Sequence, residues 1–184
     1  MGFPSGMAVQ GVLVQRMLVK LRELDDANRR LTGLLAFSSA VIGMIFDHLN
    51  DAAAIRGESL QKYKVSLEEN REEHFFGVEG IAWIGDAAIS HYDRLRFFRN
   101  RLAHFSHENG GFSIVEMFEG KRGVCLSGVD GNNRPLSVKF NRPLLVAAIE
   151  GLARGYLTAL EDDGDFRLAD ATINDALDDL ECKI

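Results

Sequence analysis

The feature that most constrains the fold is an uncharged stretch of sixteen residues, from Leu31 to Phe46. Its apolar residues follow helical spacing, and small residues such as Gly33 and Ser38 between them permit close packing of neighbouring helices. A membrane span needs roughly 20 apolar residues, so this stretch is short for one. The sequence therefore predicts a buried core helix against which other elements pack.

Two further helical patterns lie on either side of the predicted core helix. One runs from about Ala8 to Leu24, and the sequence leaves open whether it is continuous with the core helix. The other is predicted to end near His104, before Gly110-Gly111. Most of its apolar residues recur at steps of three or four and form one stripe, comprising Ile84, Ala88, Leu95, Phe98, Leu102 and Phe105.

Residues 112–140 change to a period of two, which is typical of β-strands. Three apolar runs alternate with polar residues and are separated by turn-forming Gly, Asp and Asn. We predict a three-stranded antiparallel β-meander here, inserted before the C-terminal helices. Asn141-Arg142-Pro143 begins the next helix with a cap residue and an early proline. The predicted buried stripe of that helix comprises Leu145, Ala148, Ile149, Leu152, Tyr156 and Leu160.

Length and composition indicate one mainly helical domain that covers residues 1–184. The net charge is −6, but the acidic C-terminal segment, residues 161–184, holds nine acids against two bases. After a turn, that segment is predicted to form an acidic amphipathic helix. The two cysteines, Cys125 and Cys182, lie far apart and lack the spacing of a zinc site. With no secretory signal pattern at the N-terminus, these features predict a cytoplasmic protein without a membrane segment.

Polar groups capable of chemistry are densest between Arg94 and His104, near the predicted end of the fourth or fifth helix, directly before the β-meander. Four arginines lie there, so residues 91–107 carry a local charge of +3. Such a basic patch can bind a phosphate backbone even though the whole chain is acidic. Arg96, Asn100 and His104 are spaced at intervals of four and share one helix face. A second copy packed on that face would bring these residues together across a two-fold axis.

The sequence Arg99-Asn100, followed four residues later by His104, resembles the signature of the HEPN superfamily of helical nucleases. That signature is an arginine, four to six residues and a histidine, often with an asparagine directly after the arginine. The resemblance is sharp over about six residues. It implies a HEPN-like helical bundle, a homodimer with its sites at the interface, and metal-independent endoribonuclease activity without a cofactor. It also implies a setting in toxin–antitoxin systems or phage defence, with an antitoxin or defence protein as a partner.

The chemistry of these residues agrees with that implication. Imidazole titrates near neutral pH, so His104 suits proton transfer during attack by the RNA 2′-hydroxyl. The Arg99 guanidinium matches the oxygens of a charged phosphate, and Asn100 can orient either group. Supporting contacts to RNA are predicted for Arg94, Arg96, Arg101 and His107. His104 and His107 could also form a metal pair, but the sequence supplies no third ligand nearby, so we predict no metal site.

An alternative function needs the arginines but not the imidazole. In that interpretation the chain is a non-catalytic helical dimer that binds a protein or a nucleic acid through its arginine-rich face. Arginines near the C-terminal end of a helix are favoured in any case, because cations complement the helix dipole. A ligand-sensing helical domain is a further alternative, for which the sequence offers no specific group of polar residues. His104 discriminates between the catalytic and the binding interpretations.

Overall fold

The computed structural model describes residues 11–19, 31–51, 57–69, 81–103, 111–117 and 122–164. Helices predominate, and the remaining regular structure is one small antiparallel sheet. The predicted bundle of helices with a β-meander between the motif helix and the next helix is confirmed. In chain order the elements are α1 (residues 11–19), α2 (Leu31–Asn50), α3 (Glu58–Glu68), β1 (Ala82–Gly85), α4 (His91–Ala103), β2 (Phe112–Glu116), β3 (Arg122–Val129), β4 (Pro135–Phe140) and α5 (Arg142–Asp162).

The uncharged stretch forms most of α2, which is a core helix as predicted. Val41, Ile42, Ile45 and Leu49 on α2 are fully buried. The helix packs against both α4 and α5. Windows in α2 and α5 are also long and apolar enough to cross a membrane, and 50% and 56% of these windows are buried inside the fold. Core helices of globular domains meet the same criteria, so the absence of a membrane segment stays a prediction.

The sheet has four strands, one more than predicted. Its order is β1-β4-β3-β2, and every neighbouring pair is antiparallel. Strands β2, β3 and β4 form the predicted meander. The additional strand β1 pairs with the other side of β4, where Trp83 lies opposite Val138. Along β4 the side chains of Leu136, Val138 and Phe140 are buried and alternate with half-exposed Ser137 and Lys139, so one sheet face joins the core.

The prediction that Ile84 and Ala88 belong to the motif helix is wrong. Ile84 lies in β1 with 51% of its surface exposed, and Ala88 lies in the following turn. The helix α4 begins only at His91, because the Ser90 side chain caps it by accepting a hydrogen bond from the Asp93 backbone nitrogen at 3.0 Å. The rest of the stripe that falls within the described residues is confirmed, since Leu95, Phe98 and Leu102 are buried.

Aromatic contacts hold α4 on the inner face of the sheet. The ring centroids of Phe98 and Phe140 lie 5.3 Å apart, and Trp83 lies 6.3 Å from Phe97 and 6.4 Å from Phe98. Because α4 also packs against α2, the helix that carries the motif has core contacts on two sides. Its remaining side is left for polar residues.

The start and the buried stripe of α5 are confirmed. The Asn141 side chain accepts a hydrogen bond from the Leu144 backbone nitrogen at 3.1 Å, and all six predicted stripe residues are buried. The prediction that Glu161 and Asp162 belong to the turn after this helix is wrong, since both are still helical. Asp163 ends the helix and accepts hydrogen bonds from the backbone nitrogens of Ser59 and Leu60. It thereby supplies the cap that Gly57, the N-cap residue of α3, cannot provide. The predicted acidic helix lies outside the described residues.

Candidate functional site

The structure divides the four arginines of α4 between two sides of the helix. At about 100° per residue, Tyr92, Arg96, Arg99 and Asn100 fall within an arc of about 100° on the helix side opposite Arg94 and Arg101. We call these four residues the outer face of α4. The Arg96 guanidinium reaches Gly131 in the β3–β4 turn. Arg94 and Arg101 fall on the side towards the sheet, together with Phe97. The basic patch predicted from sequence is therefore two pairs of arginines with different surroundings.

Arg99 is held in place by two polar side chains. Its Nη1 donates to Asn100 Oδ1 at 3.2 Å, and its Nη2 donates to Asp47 Oδ1 at 3.1 Å and Oδ2 at 3.5 Å. The guanidinium carbon lies 6.0 Å from the centroid of the Phe46 ring, which adds a cation–π contact. The Arg99 side chain nevertheless remains 32% exposed. The guanidinium is thus oriented and still accessible to an anionic ligand.

Asp47 is a site residue that sequence reasoning missed. It lies 52 positions before Arg99 in the chain, near the end of α2, and reaches Arg99 because α2 packs against α4. In the sequence, the residues around Asp47 do not indicate a partner for its carboxylate. Its side chain remains 61% exposed, so the ion pair is a surface contact of modest strength.

The two arginines on the sheet side pack against aromatic rings. The Arg94 guanidinium carbon lies 5.5 Å from the Trp83 ring, and that of Arg101 lies 5.6 Å from the Phe97 ring. Arg94 Nε is buried and has no hydrogen-bond partner among the described residues, and burial lowers the pKa of Arg94. A Cβ added to Gly128 would overlap the Arg101 guanidinium, so this glycine admits the arginine to the sheet surface. Contacts to RNA by Arg94 and Arg101 stay predictions.

The predicted catalytic histidine and its neighbour cannot be placed in this geometry. His104 and His107 both lie outside the described residues, in the gap between residues 103 and 111. Arg96, in contrast, is exposed on the outer face and lies one helical turn before Asn100. Of the predicted site residues, the structure therefore brings together Arg99 and Asn100, with Arg96 beside them.

A second polar cluster connects the β3–β4 turn to the beginning of α4. Asp130 is buried, and its carboxylate accepts hydrogen bonds from the backbone nitrogens of Asn132 and Arg134 and from Arg134 Nε at 2.9, 2.8 and 2.7 Å. Arg134 also pairs with Asp93 at 3.6 Å and with Asp86 at 3.9 Å. Burial alone would raise the pKa of Asp130, but hydrogen bonds from Arg134 outweigh it and hold this pKa below its ordinary value.

The Asp130 cluster is structural in its geometry, since its carboxylates are directed at Arg134. Among the residues that the structure describes, no group of three or more His, Cys, Asp or Glu side chains is arranged to hold a metal ion.

Comparison of the whole chain with protein-family models, with curated proteins and with solved structures finds no match.

Proposed function

We propose that this protein is a metal-independent endoribonuclease of the HEPN type, acting at the C-terminal end of α4. The observation that carries the proposal is the orientation and exposure of the Arg99 guanidinium. Its guanidinium is oriented by Asn100 and Asp47, remains one-third exposed, and precedes His104 by five residues. A fixed and accessible guanidinium is what stabilisation of a charged phosphate requires. The helical bundle is compatible with the HEPN fold.

In the proposed reaction the RNA strand supplies its own nucleophile. The 2′-oxygen forms a bond to the adjacent phosphorus while the bond from phosphorus to the 5′-oxygen of the next nucleotide breaks. His104 takes the proton of the 2′-hydroxyl or gives a proton to the leaving 5′-oxygen, and water exchanges the other proton. Arg99 holds the phosphate oxygens as negative charge grows on them, and Asn100 keeps the guanidinium in position. The products carry a 2′,3′-cyclic phosphate and a free 5′-hydroxyl.

The proposal includes the assembly and setting that the family resemblance implies. Two copies form a homodimer through the face that bears Asn100 and His104, so that the two sites lie near each other. The enzyme serves as a cytoplasmic toxin or defence component that is controlled by a partner protein. The outward position of Arg99 and Asn100 on α4 supports this arrangement, because neither residue is covered by the core.

The experiment that tests the proposal is cleavage of end-labelled RNA by the purified full-length chain in the presence of EDTA. We expect cleavage, with 2′,3′-cyclic phosphate ends detected by their resistance to ligation until the cyclic phosphate is removed. RNA that is retained in a binding assay but not cleaved would favour the non-catalytic dimer instead. Absence of both cleavage and binding would contradict the proposed nuclease and also the alternative in which a non-catalytic dimer binds RNA.

Replacement of Asp47 by asparagine is expected to lower kcat for RNA cleavage by roughly ten- to a hundredfold, because a misplaced guanidinium stabilises the transition state less well. KM is expected to change little. Steady-state kinetics on a short RNA substrate measure both constants. The matched control is Asp51→Asn, which removes the same charge four residues later without affecting a hydrogen bond of Arg99. A rise in kcat for Asp47→Asn would contradict the orienting role and show that Asp47 competes with the phosphate.

A further inference from the structure

An aromatic ring on the outer face of α4 is supported from the protein side. The Tyr92 ring packs on Phe46, with centroids 5.3 Å apart and ring planes at 32°. The Tyr92 hydroxyl donates a hydrogen bond to Asn50 Oδ1 at 3.3 Å. Burial raises the pKa of Tyr92. These contacts fix the orientation of an aromatic side chain that is only half-buried.

Three cations lie in this region of the surface. Lys64 from α3 places its Nζ 5.6 Å from the Tyr92 ring centroid. Arg96, one turn beyond Tyr92, is exposed, and its charge acts on Tyr92 while its guanidinium lies beside Gly131 in the β3–β4 turn. Arg99 lies seven residues beyond Tyr92, a distance of about 10 Å along the helix axis. Arg99 itself lies over Phe46, the ring on which Tyr92 packs.

The nearby acids leave this surface a positive character. Asp93 is engaged by Arg134 on the side of the β3–β4 turn, and Asp47 is engaged by Arg99. Glu68, one turn after Lys64 on α3, is the remaining acid whose charge acts on Tyr92. Among the described residues, Glu68 is therefore the acid acting on Tyr92 that is not paired with an arginine. A rigid ring flanked by two cations is the arrangement by which proteins hold unpaired nucleotides.

We propose that Tyr92, Lys64 and Arg96 bind an unpaired nucleotide of single-stranded RNA next to the phosphate held by Arg99. The base stacks on the Tyr92 ring in the place where the Lys64 ammonium now lies, and Lys64 and Arg96 bind the adjoining phosphates. Base stacking is tolerant of sequence, so this subsite selects unpaired strands rather than a particular base. The identity of the ligand as RNA rests on the proposed nuclease function, whereas the surface itself is defined by the described contacts.

Binding is measured with the full-length chain and a fluorescent, unstructured 2′-O-methyl oligoribonucleotide, which cannot be cleaved through its own 2′-hydroxyl. Tyr92→Leu is expected to raise Kd about tenfold, which corresponds to the loss of one stacked base. Tyr92→Phe keeps the ring and is expected to bind like the wild type. A fully paired duplex of the same sequence is expected to bind more weakly, because its bases are not available to stack.

A pair of lysines on α3 provides the matched charge control. Lys64→Ala is expected to weaken binding and to lower the slope of log Kd against log salt by about 0.7, the value for one phosphate contact on a single strand. Lys62→Ala removes the same charge two residues earlier, where Lys62 pairs with Glu58 at 2.7 Å, and is expected to leave the slope unchanged. Lys64 is a surface residue, so its variant tests the proposal even if Tyr92→Leu folds poorly.

The outcomes separate this inference from the proposed function. Oligonucleotide binding that depends on Tyr92 and Lys64, without cleavage of unmodified RNA, would support the subsite and reject the nuclease. Cleavage by the wild type with unchanged Kd and KM in Tyr92→Leu and Lys64→Ala would support the nuclease and overturn the subsite. Equal losses for Lys62→Ala and Lys64→Ala would also overturn it, because a diffuse charge effect would then account for binding.

Discussion

Replacing His104 with alanine is expected to abolish RNA cleavage while the helical fold and the oligomeric state stay unchanged. General acid–base catalysis by a positioned side chain contributes typically 10²- to 10⁴-fold to a rate, and alanine has no group that can transfer a proton. We expect Arg99 to keep its contacts in this variant, since its hydrogen-bond acceptors are Asn100 and Asp47. The loss should therefore appear in kcat rather than in RNA binding.

The measurement compares wild type and His104→Ala in the same cleavage reaction, with circular dichroism and gel filtration as tests of fold and assembly. Arg122→Ala is the control for the preparation of a variant protein and for the loss of one positive charge. Arg122 is exposed at the start of β3 and lies outside the candidate site. Full cleavage by His104→Ala would falsify the proposed mechanism. Loss of RNA binding in the same variant would instead assign His104 a binding role.

Replacing Asp130 with alanine is expected to lower the free energy of unfolding by roughly 2–4 kcal/mol. Loss of the carboxylate leaves two backbone nitrogens and a half-buried guanidinium without their acceptor, and such unsatisfied groups cost about 1–3 kcal/mol each, more when charged. Arg134 would retain only its longer pairs with Asp86 and Asp93. Urea denaturation followed by circular dichroism measures the loss. Asn132→Ala, at an exposed position in the same turn, is expected to stay within about 0.5 kcal/mol of wild type.

The deficit of Asp130→Ala is also expected to depend on pH. Because the folded-state pKa of Asp130 lies below its ordinary value, the carboxylate stabilises the fold above the unfolded pKa of about 3.9. That stabilisation is lost as pH falls through the folded-state pKa. The difference in unfolding free energy between wild type and Asp130→Ala should therefore be full at pH 7 and smaller at pH 3. An equal difference at the two pH values would show that the Asp130 charge contributes nothing to stability.

Elements with a long, regular pattern were predictable from sequence. The stripe of α5 and the alternation of β4 each repeat over several residues, so local spacing alone specifies which side is buried. Strand β1 has only four residues between glycine-rich and turn segments, and it carries no comparable repeat. It becomes a strand because β4 offers an unpaired edge. Because of this pairing, Ile84 lies in a strand and not in the helical stripe that its spacing predicted.

The candidate site shows the same division. The neighbouring positions of Arg99 and Asn100, and their shared outer face with Arg96, follow from helical geometry and were predictable. The Asp47 partner of Arg99 was not, because it comes from another helix and its distance along the chain carries no information about contact. The Phe46 support for Tyr92, likewise, appears only once α2 packs against α4. Predictions for His104, His107 and the acidic C-terminal segment concern residues outside the described structure.

The sequence by itself determined the helical class, the β-meander, the uncharged core helix α2, and the density of arginines on α4. Those features are local, since they arise from the period of apolar residues and from caps and turns within a few positions. Only the tertiary structure decided which arginines face outward, which carboxylates hold Arg99 and Arg134, and which ring stands beside the basic residues. These contacts depend on the packing of α2, α3 and the sheet around α4, which joins residues far apart in the chain.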